Sequence, residues 1–413
     1  MTDVAAATGP LAGIKVLDLS RVLAGPWASQ ALGDLGAEIF KVEQPGQGDD
    51  SRRWGPPFLD DGSRDSAYYC SANRNKQSIA IDMAKPEGAA LIRKLAVECD
   101  IVVENLRVGS LAKFGLDYES LKALKPSLIY CSITGFGQTG PFAEQGGYDF
   151  LIQGMSGLMS VTGRADDQPG GGPMKVGIPV GDLVTGLYST ISILAALHHR
   201  DTTGEGQQLD CCLLDSLVAL LVHQASNYLN GGVLPKRLAN EHPNVVPYRD
   251  FACADGDVIV SLGNDGQFRG LCRMLGREAL GTDPRFADMA GRSVNRQALY
   301  DEIEPEIAKW KSAEFLAAME AAKLPGGKVN EIPETLSHPQ LVHRELVQEL
   351  ARDDGTKVKF VGFPSKFSET PPNYRLAPPR FGQDTNAVLQ NLLGMTQTDI
   401  DQLRERGVVA DKF

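Results

Sequence analysis

The carboxylate with the most distinctive sequence setting belongs to Asp182. It follows a segment rich in glycine and proline, residues 164–180, and it precedes an apolar helix predicted over residues 183–199. An Asp at such a position most often only caps the helix by accepting a backbone N–H bond. The same bonds would keep the carboxylate ionised and fixed, and Gly181 would let a ligand approach closely. A carboxylate held in this way can act as a covalent nucleophile, and its position alone leaves both roles open.

A second group of candidate residues is a set of cations in the first third of the chain. They lie at or just after predicted strands: Arg21, Lys41, Arg52, Arg53, Arg74, Lys76 and Arg107. The carboxyl ends of parallel strands share one edge of a sheet, so we expect these side chains on a common rim. Lone surface cations are the ordinary explanation for each of them, but together they suggest an anionic ligand with several phosphates. Trp54 is either a loop anchor or an aromatic platform.

Other chemical signatures are weak or missing. The segment Gly135–Gly140 reads G-x-G-x-x-G, but a dinucleotide-binding site needs a helix that opens directly afterwards. Pro141 and the polar residues 144–147 follow instead, which disfavours an NAD-dependent enzyme. No Walker A, H-E-x-x-H or G-x-S-x-G motif occurs, and the six His are scattered, so we predict no metal site.

Composition excludes further classes. The chain has 413 residues, of which 42% are hydrophobic and 23% charged, and its net charge of −11 disfavours a general nucleic-acid binder. Seven cysteines without C-x-x-C spacing are typical of a reduced cytoplasmic protein. The first ten residues do not resemble a signal peptide. We interpret the apolar stretch after position 180 as a buried helix, too short for a membrane span.

The elements that must position these residues follow from short apolar runs that alternate with helical patterns. Strands are predicted at 14–19, 38–42, 78–81, 101–103 and 128–132. This alternation favours βαβ units and a mostly parallel sheet. Residues 211–229 are interpreted as one apolar helix. After them the chain predicts a hairpin with its turn at Asp255-Gly256, then helices to about residue 322, a strand at 357–361 and a helix near 386–393.

Several segments together resemble the class III CoA-transferase family, of the CaiB/BaiF type. They are dense in the first 230 residues: residues 11–18, 22–26, 32–38, 73–76, 103–105, 132–141, 147–149 and 181–182. Residues 23–26 and 130–135 are most similar to the succinyl-CoA:dicarboxylate branch, whose members act on glutarate or hydroxymethylglutarate. Gln44, where some members have Arg, and the two-glycine segment 261–267 depart from the family pattern.

The resemblance implies an α/β fold with two domains that forms a homodimer of interlocked rings. The Rossmann-like large domain with its parallel sheet would cover residues 1–215, completed by 350–413, and a smaller α+β domain would cover 225–345. Asp182 would be the nucleophile. CoA would contact the loop Val22, Leu23 and Ala24, and also Asn75, Lys76 and Arg107. A flexible glycine loop over the site corresponds to residues 263–267, with Gly263, Gly266 and Gln267.

Tyr148 bears on the choice of reaction. The α-methylacyl-CoA racemases resemble these transferases but have a His in a G-H-D segment, where this chain has Gly147-Tyr148-Asp149. A phenol with a pKa near ~10 exchanges protons poorly at neutral pH. The sequence therefore favours a transferase over the racemase alternative.

We accordingly predict transfer of CoA from an acyl-CoA, with succinyl-CoA as the expected donor, to a short dicarboxylic acid. The resemblance implies an aspartyl-CoA thioester intermediate. CoA thioesters would be substrates, and no permanently bound cofactor is expected. A CoA-binding protein without catalytic activity remains the other open alternative.

Overall fold

The structure is a computed structural model that describes residues 8–411. Its strands, in chain order, are β1 Lys15–Asp18, β2 Glu38–Glu43, β3 Lys76–Ile81, β4 Ile101–Glu104, β5 Ile129–Thr134, β6 Gln208–Cys212, β7 Tyr248–Cys253, β8 Gly256–Ser261, β9 Gly326–Gly327, β10 Val347–Ala351, β11 Lys357–Val361 and β12 Val409–Ala410. The predicted strands of the first 135 residues therefore all exist, within a few residues of their expected bounds.

The α-helices in chain order are α1 Ala24–Asp34, α2 Ala67–Ser71, α3 Pro86–Glu98, α4 Tyr118–Leu124, α5 Asp149–Met155, α6 Leu158–Val161, α7 Val180–Thr203, α8 Leu213–Ala219, α9 Val222–Gly231, α10 Asp265–Met274, α11 Met289–Val294, α12 Arg296–Ile307, α13 Ser312–Ala321, α14 Ile332–Leu336, α15 Pro339–His343, α16 Thr385–Leu393 and α17 Gln397–Glu405. The chain divides into two compact units. The larger contains the residues up to Leu158, Lys175–Gly231 and those from Leu341 onward, and the smaller contains Met159–Met174 and Gly232–Gln340.

The larger unit is built on one sheet with the strand order β12-β3-β2-β1-β4-β5-β6. Strands β1 to β6 pair in parallel in the spatial order β3-β2-β1-β4-β5-β6, and β12 is antiparallel to β3. The order in which successive strands are added reverses direction between β1 and β4, because β2 and β3 lie on one side of β1 and β4 to β6 lie on the other. Doubly wound sheets form their ligand crevice at such a reversal. The predicted α/β class with a parallel-dominated sheet is confirmed.

Both faces of this sheet are covered by helices. Within β1, Val16 and Leu17 are fully buried and belong to two separate apolar clusters, one on each face. The cluster around Leu17 includes side chains of α3, α16 and α17, whereas that around Val16 includes side chains of α1, α7 and α8. Strands that are buried on both faces have continuous apolar runs, and this is why the sequence revealed them.

The prediction of one helix over 211–229 is wrong. Cys211 and Cys212 belong to β6, and the helical part is divided into α8 and α9. The alternation from Gln208 to Cys212 fits an edge strand, which pairs with β5 in the register Cys131 with Leu209. Only that pairing distinguishes it from the start of an apolar helix.

Helix α7 corrects a second expectation. With 24 residues it is long and apolar enough to cross a membrane by length and composition, so the stretch is not too short for a span. In this structure it packs against α1. A Cβ at Gly186 would lie 2.7 Å from the carbonyl oxygen of Ala24 and 3.1 Å from the ring of Trp27, so this close crossing requires glycine.

The smaller unit contains the predicted hairpin. Strands β7 and β8 pair antiparallel with their turn at Ala254-Asp255, one residue before the predicted turn at Asp255-Gly256, because Gly256 pairs with Cys253; β9 adds to β8. This unit also includes residues 159–174, which the sequence placed in the large domain. Arg237 accounts for the difference, because it donates to the carbonyl of Ser160 at 3.0 Å and pairs with Asp166.

Candidate functional site

The main cavity of the larger unit has a volume of about 580 Å³ and lies at the carboxyl ends of β1, β4 and β5. The predicted residues that line it are Val22, Leu23, Ala24, Trp54, Arg107, Tyr148 and Asp182. Its wall is completed by Arg21, Asp50, Asn105, Leu106, Val108, Ile133, Thr134, Gly135, Ala143, Gln145, Gly146, Gly147 and Leu213. The tertiary structure thus brings Asp182 to the loop after β1, although they are far apart in sequence.

The loop after β1 is held in an unusual backbone conformation. Val22 has φ = 70°, which is strained for a β-branched residue. Its N–H donates to both carboxylate oxygens of Asp49 at 3.2 Å. The neighbouring peptide is fixed by Asn105, whose Oδ1 accepts from Arg21 N–H at 2.9 Å and whose Nδ2 donates to the Arg21 carbonyl at 2.7 Å. These contacts pre-form the loop that the resemblance assigns to CoA.

Asp49 is itself fixed beneath this loop. Its carboxylate pairs with the ammonium of Lys41 at 2.8 Å, and both side chains are fully buried. Burial alone would raise the pKa of Asp49, but Lys41 and hydrogen bonds from Ser51 outweigh it and hold the pKa well below its usual range. Lys41 also donates to the carbonyl of Ser20 at 2.9 Å. The support of the loop is therefore a buried ion pair.

Asp182 is the third residue of α7 and does not cap it. The helix begins after Pro179 without a side-chain cap. Burial, together with the neighbouring Asp149 carboxylate, raises the pKa of Asp182 to about 7. The expectation that capping bonds keep Asp182 ionised is therefore wrong. The backbone N–H of Gly181 is bonded by Asp149 instead, at 2.7 Å from Oδ1.

The expectation that seven cations share one rim facing an anionic ligand is also wrong. Arg52, buried to 1% exposure, forms ion pairs with Glu43 at 2.6 Å and Asp65 at 2.7 Å. Arg74 is buried against Asp34 at 2.5 Å. Buried cations need partners because an isolated charge is costly to desolvate. Lys41 and Lys76 are likewise buried in ion pairs.

Lys76 and Asn75 do not line the cavity. The ammonium of Lys76 donates to Asp18 at 3.1 Å, to the carbonyl of Pro26 at 2.9 Å and to Asn73 at 3.0 Å. All its donors are thus used inside the protein. The carboxamide of Asn75 donates to Asp34 at 2.9 Å and to a backbone carbonyl, and it accepts from two backbone N–H groups of the C-terminal segment. The prediction that these side chains contact CoA is not supported by this arrangement.

The cations that remain available are Arg21, Arg53 and Arg107. Arg21 and Arg107 line the cavity, and Arg21 lies 3.4 Å from Asp50 in an exposed ion pair. Exposed pairs of this kind are weak and exchange easily with a ligand. The cavity wall therefore offers two guanidinium groups to an anionic substrate.

The aromatic side of the cavity includes Trp54 and Tyr148. Tyr148 is 74% exposed, and the ring of Trp54 packs edge-on against Tyr68 at 5.2 Å between centroids. Burial raises the pKa of the Tyr68 phenol to about 12, with contributions from the charges of Asp182 and Asp149. Tyr68 was not predicted from the sequence, because nothing in the sequence indicates that this phenol lies within electrostatic range of Asp182.

Asn105 and Thr134 were also missed as site residues, although a signal existed. Each stands at the carboxyl end of a predicted strand, β4 or β5, where a doubly wound sheet binds its ligand. The rule that predicted the rim of cations applies equally to these two polar residues.

The predicted flexible glycine loop belongs to the smaller unit. Gln267 and Gly266 lie in the first turn of α10, whose N-cap is Asn264: its Oδ1 accepts from Gln267 N–H at 2.9 Å. Gly263 N–H donates to Oε1 of Gln267 at 2.7 Å. The expectation of a loop over 263–267 is therefore wrong for its last three residues, which are helical because Asn264 caps them.

Comparison with known proteins identifies relatives over nearly the whole chain. Residues 11–385 match the sequence model of a protein family described as "CoA-transferase family III". The succinate–glutarate CoA-transferase of Agrobacterium fabrum is 47% identical over 401 residues, which cover 96% of this chain and 99% of that protein. The human succinyl-CoA:glutarate CoA-transferase is 40% identical over 400 residues, which cover 97% of this chain and 90% of that protein.

A solved structure agrees with these relatives. A CaiB/BaiF family protein from Brucella suis superimposes with a TM-score of 0.82 at 44% identity, and the match covers 93% of this chain and all of that one. The fold and the sequence therefore lead to the same group of proteins.

Proposed function

Because the chain belongs to CoA-transferase family III, we propose that this enzyme transfers CoA from succinyl-CoA to a short dicarboxylic acid through an aspartyl-CoA thioester at Asp182. The observation that carries the proposal is that Asp182 lines the same cavity as Val22, Leu23 and Ala24. The names of the relatives from Agrobacterium fabrum and human support succinyl-CoA and a dicarboxylate as the substrate pair. The coenzyme enters and leaves as a thioester.

In the first half-reaction, a carboxylate oxygen of Asp182 attacks the succinyl thioester. The C–S bond breaks, giving a mixed aspartyl–succinyl anhydride and the CoA thiolate. The thiolate then attacks the aspartyl carbonyl carbon and releases succinate, which leaves an aspartyl-CoA thioester. Both intermediates are activated acyl groups, so no nucleotide hydrolysis is required.

In the second half-reaction, a carboxylate of the acceptor attacks the aspartyl-CoA carbonyl. CoA thiolate leaves and then attacks the acceptor's acyl carbon in the new anhydride, which regenerates Asp182 and forms the product thioester. The start of α1 at Ala24 has no side-chain cap. Its N-terminal dipole can stabilise the thiolate or an oxyanion in this cavity.

Arg21 and Arg107 are the cationic residues of the cavity wall. We assign them to the anionic groups of the two substrates, namely the CoA phosphates and the distal carboxylate of the dicarboxylic acid. A distal carboxylate needs such a partner because its desolvation is otherwise costly.

The racemase alternative is not favoured. Tyr148 stands where the racemases have their His, and the phenol is a poor acid–base group at neutral pH. A racemase would incorporate deuterium from D₂O at the α carbon without an acceptor acid, so this exchange is the control reaction.

We also propose the homodimer of interlocked rings and a cytoplasmic location. Exposed apolar side chains on α7 and α9 support an interface, among them Leu187, Ile191 and Leu229. All seven cysteines are free thiols, which fits a reducing compartment. Light scattering should give twice the chain mass, and a monomer in solution would contradict the dimer.

The decisive experiment incubates the enzyme with succinyl-CoA and a panel of mono- and dicarboxylic acids, and identifies new CoA thioesters by mass spectrometry. In a parallel reaction without acceptor, hydroxylamine should convert Asp182 to a hydroxamate that is found in the peptide containing it. The Asp182→Ala enzyme should make no product and no hydroxamate. Normal turnover by Asp182→Ala would overturn the nucleophile, and products from monocarboxylic acids alone would overturn the substrate class.

A further inference from the structure

The first turn of α7 is held by side chains of α5. Oδ1 of Asp149 accepts a hydrogen bond from the N–H of Gly181 at 2.7 Å, and Oδ2 accepts one from Nε2 of Gln153 at 2.6 Å. Oε1 of Gln153 in turn accepts from the N–H of Val176 at 2.9 Å. This network fixes the backbone that leads into α7 at two residues, Val176 and Gly181.

The contact between Asp149 and α7 depends on a glycine. A Cβ at Gly181 would lie 2.9 Å from Oδ1 of Asp149 and 3.3 Å from the side chain of Leu217. A larger residue would require the Asp149 carboxylate and the Leu217 side chain to shift, which would disturb the hydrogen bond from the Gly181 N–H. Asp182 is the next residue, so the position of its carboxylate in the cavity depends on this close approach.

Asp149 also brings a second negative charge to the nucleophile. Within the described residues 8–411, no cation contributes to the pKa of Asp182, which burial and then the Asp149 charge raise to about 7. Tyr68 on α2 lies within electrostatic range of both carboxylates. Because burial and these charges raise its pKa to about 12, the phenol stays protonated throughout the range of an activity assay.

The other elements packed against α7 and the cavity wall contribute the remaining titratable groups. These are Asp34 on α1, Tyr130 and Cys131 on β5, Asp210, Cys211 and Cys212 on β6, Asp215 on α8, and Arg21, Asp50, Arg107 and Tyr148 in the wall.

We propose that Asp149 is a positioning residue for the nucleophile, which fixes the turn that carries Asp182 and keeps a second carboxylate beside it. The inference deepens the function proposed above, because it presupposes that Asp182 is acylated. Asp149 acts through Gly181 and through its charge, without contact with the substrate.

The charge of Asp149 favours acyl transfer for an electrostatic reason. When Asp182 attacks the thioester, its oxygen forms the new C–O bond, the C–S bond breaks, and the negative charge passes to the CoA sulfur. The repulsion between the two aspartates then disappears. A fixed charge at Asp149 therefore raises the energy of the free carboxylate relative to the acylated enzyme, which lowers the barrier to attack.

The test measures the pH dependence of Asp182 acylation in a single turnover with succinyl-CoA. Asp149→Asn keeps an oxygen for the Gly181 N–H but removes the charge. We expect the acid limb of its rate profile to move down by about one pH unit, since a neighbouring charge shifts a carboxyl pKa by that order. The plateau rate should fall because the charge no longer destabilises the free carboxylate.

Gln153→Leu is the matched second variant. It removes the hydrogen bond that orients Asp149 but leaves the charge in place. We expect its plateau rate to fall about tenfold through misplacement of the nucleophile, with the acid limb where it is in the wild type. Asp117→Asn is the control, because Asp117 also accepts a hydrogen bond from a first-turn N–H, that of Ser120 at 3.2 Å in α4, and does not contribute to the pKa of Asp182. It should leave the acid limb unchanged.

The outcomes separate the two proposals. An unmoved acid limb in Asp149→Asn, with Asp182 still acylated, would overturn the role of Asp149 and leave the proposed function intact. Failure of the wild type to acylate Asp182 would instead contradict the proposed function. If Asp149→Asn does not fold, a wild-type rate in Gln153→Leu would reject the positioning role.

Discussion

The carboxylate of Asp149 bonds the N–H of Gly181 at 2.7 Å, one residue before Asp182. This contact gives α7 the N-terminal partner that the sequence had assigned to Asp182 itself. Asp182 is thereby left without capping bonds, and burial and the Asp149 charge raise its pKa to about 7. A carboxyl with a pKa in this range is poised as a nucleophile, and the following predictions start from this property.

Transferase activity should depend on pH through Asp182. Only the ionised carboxylate attacks, and its pKa is raised, so activity is lost as the pH falls through about 7 and reaches a plateau at higher pH. An Asp with an ordinary pKa near ~3.9 would give a flat profile over the same range. The test is to determine kcat/KM from initial rates in overlapping buffers from pH 5 to 9. A value of kcat/KM that does not fall towards pH 5 would contradict the raised pKa.

Arg107→Ala should weaken binding of the acyl-CoA without affecting the fold. The guanidinium is exposed and lines the cavity, so it can pair with a phosphate. We expect KM for succinyl-CoA to rise about tenfold at low salt, equivalent to ~1.4 kcal/mol, and the difference to shrink at high salt through screening. Lys94→Ala removes an exposed cation on α3 and is the matched control. If Arg107→Ala and Lys94→Ala have the same KM for succinyl-CoA, a role of Arg107 in binding is rejected.

Lys76→Met should show the opposite pattern. It leaves Asp18 buried without the ammonium that lies 3.1 Å from it, and a broken buried pair costs about 3–5 kcal/mol. The melting temperature should therefore fall strongly, whereas KM for succinyl-CoA should stay the same in assays well below that temperature. Lys94→Met serves as the surface control. A large rise in KM with normal stability would restore the CoA contact that the resemblance implied.

Glu104→Gln should stabilise the protein at alkaline pH. Glu104 ends β4, and its Oε2 accepts from Leu106 N–H at 2.8 Å, but burial raises its pKa to about 7. A carboxyl whose pKa is raised on folding binds more protons in the native state, so stability falls as the pH rises towards 7. The amide avoids this cost.

Denaturation of Glu104→Gln and wild type at pH 5 and pH 8 provides the measurement. We expect a gain of about 3 kcal/mol at pH 8, the order given by a carboxyl pKa of ~4.3 in the unfolded state and about 7 in the folded state, and a gain of only about 1 kcal/mol at pH 5, where the unfolded state has just begun to ionise. Glu98→Gln, on the surface at the end of α3, should bring no comparable gain. A gain that is equal at both pH values would show that ionisation is not its cause.

The cations illustrate how far local sequence information reaches. The strands near them were predictable, because apolar runs buried on both faces of a parallel sheet are easy to recognise. The burial of the cations was not. Arg52 and Arg107 occupy similar places in the pattern, yet Arg52 pairs with Glu43 and Asp65 inside the protein while Arg107 lines the cavity. The acidic partners are set by long-range contacts that no spacing reveals.

By itself, the sequence determined the α/β class, the strands of the sheet, the relation to CoA-transferases and Asp182 as the candidate nucleophile. These properties rest on local periodicity and on motifs that are continuous in the chain. The tertiary structure decided that Asp149 bonds the first turn of α7, that Asn75 and Lys76 are buried, and that Asn105 and Thr134 join the cavity wall. Each of these depends on which residues become neighbours when distant segments pack, and on the cost of burying a charge without a partner.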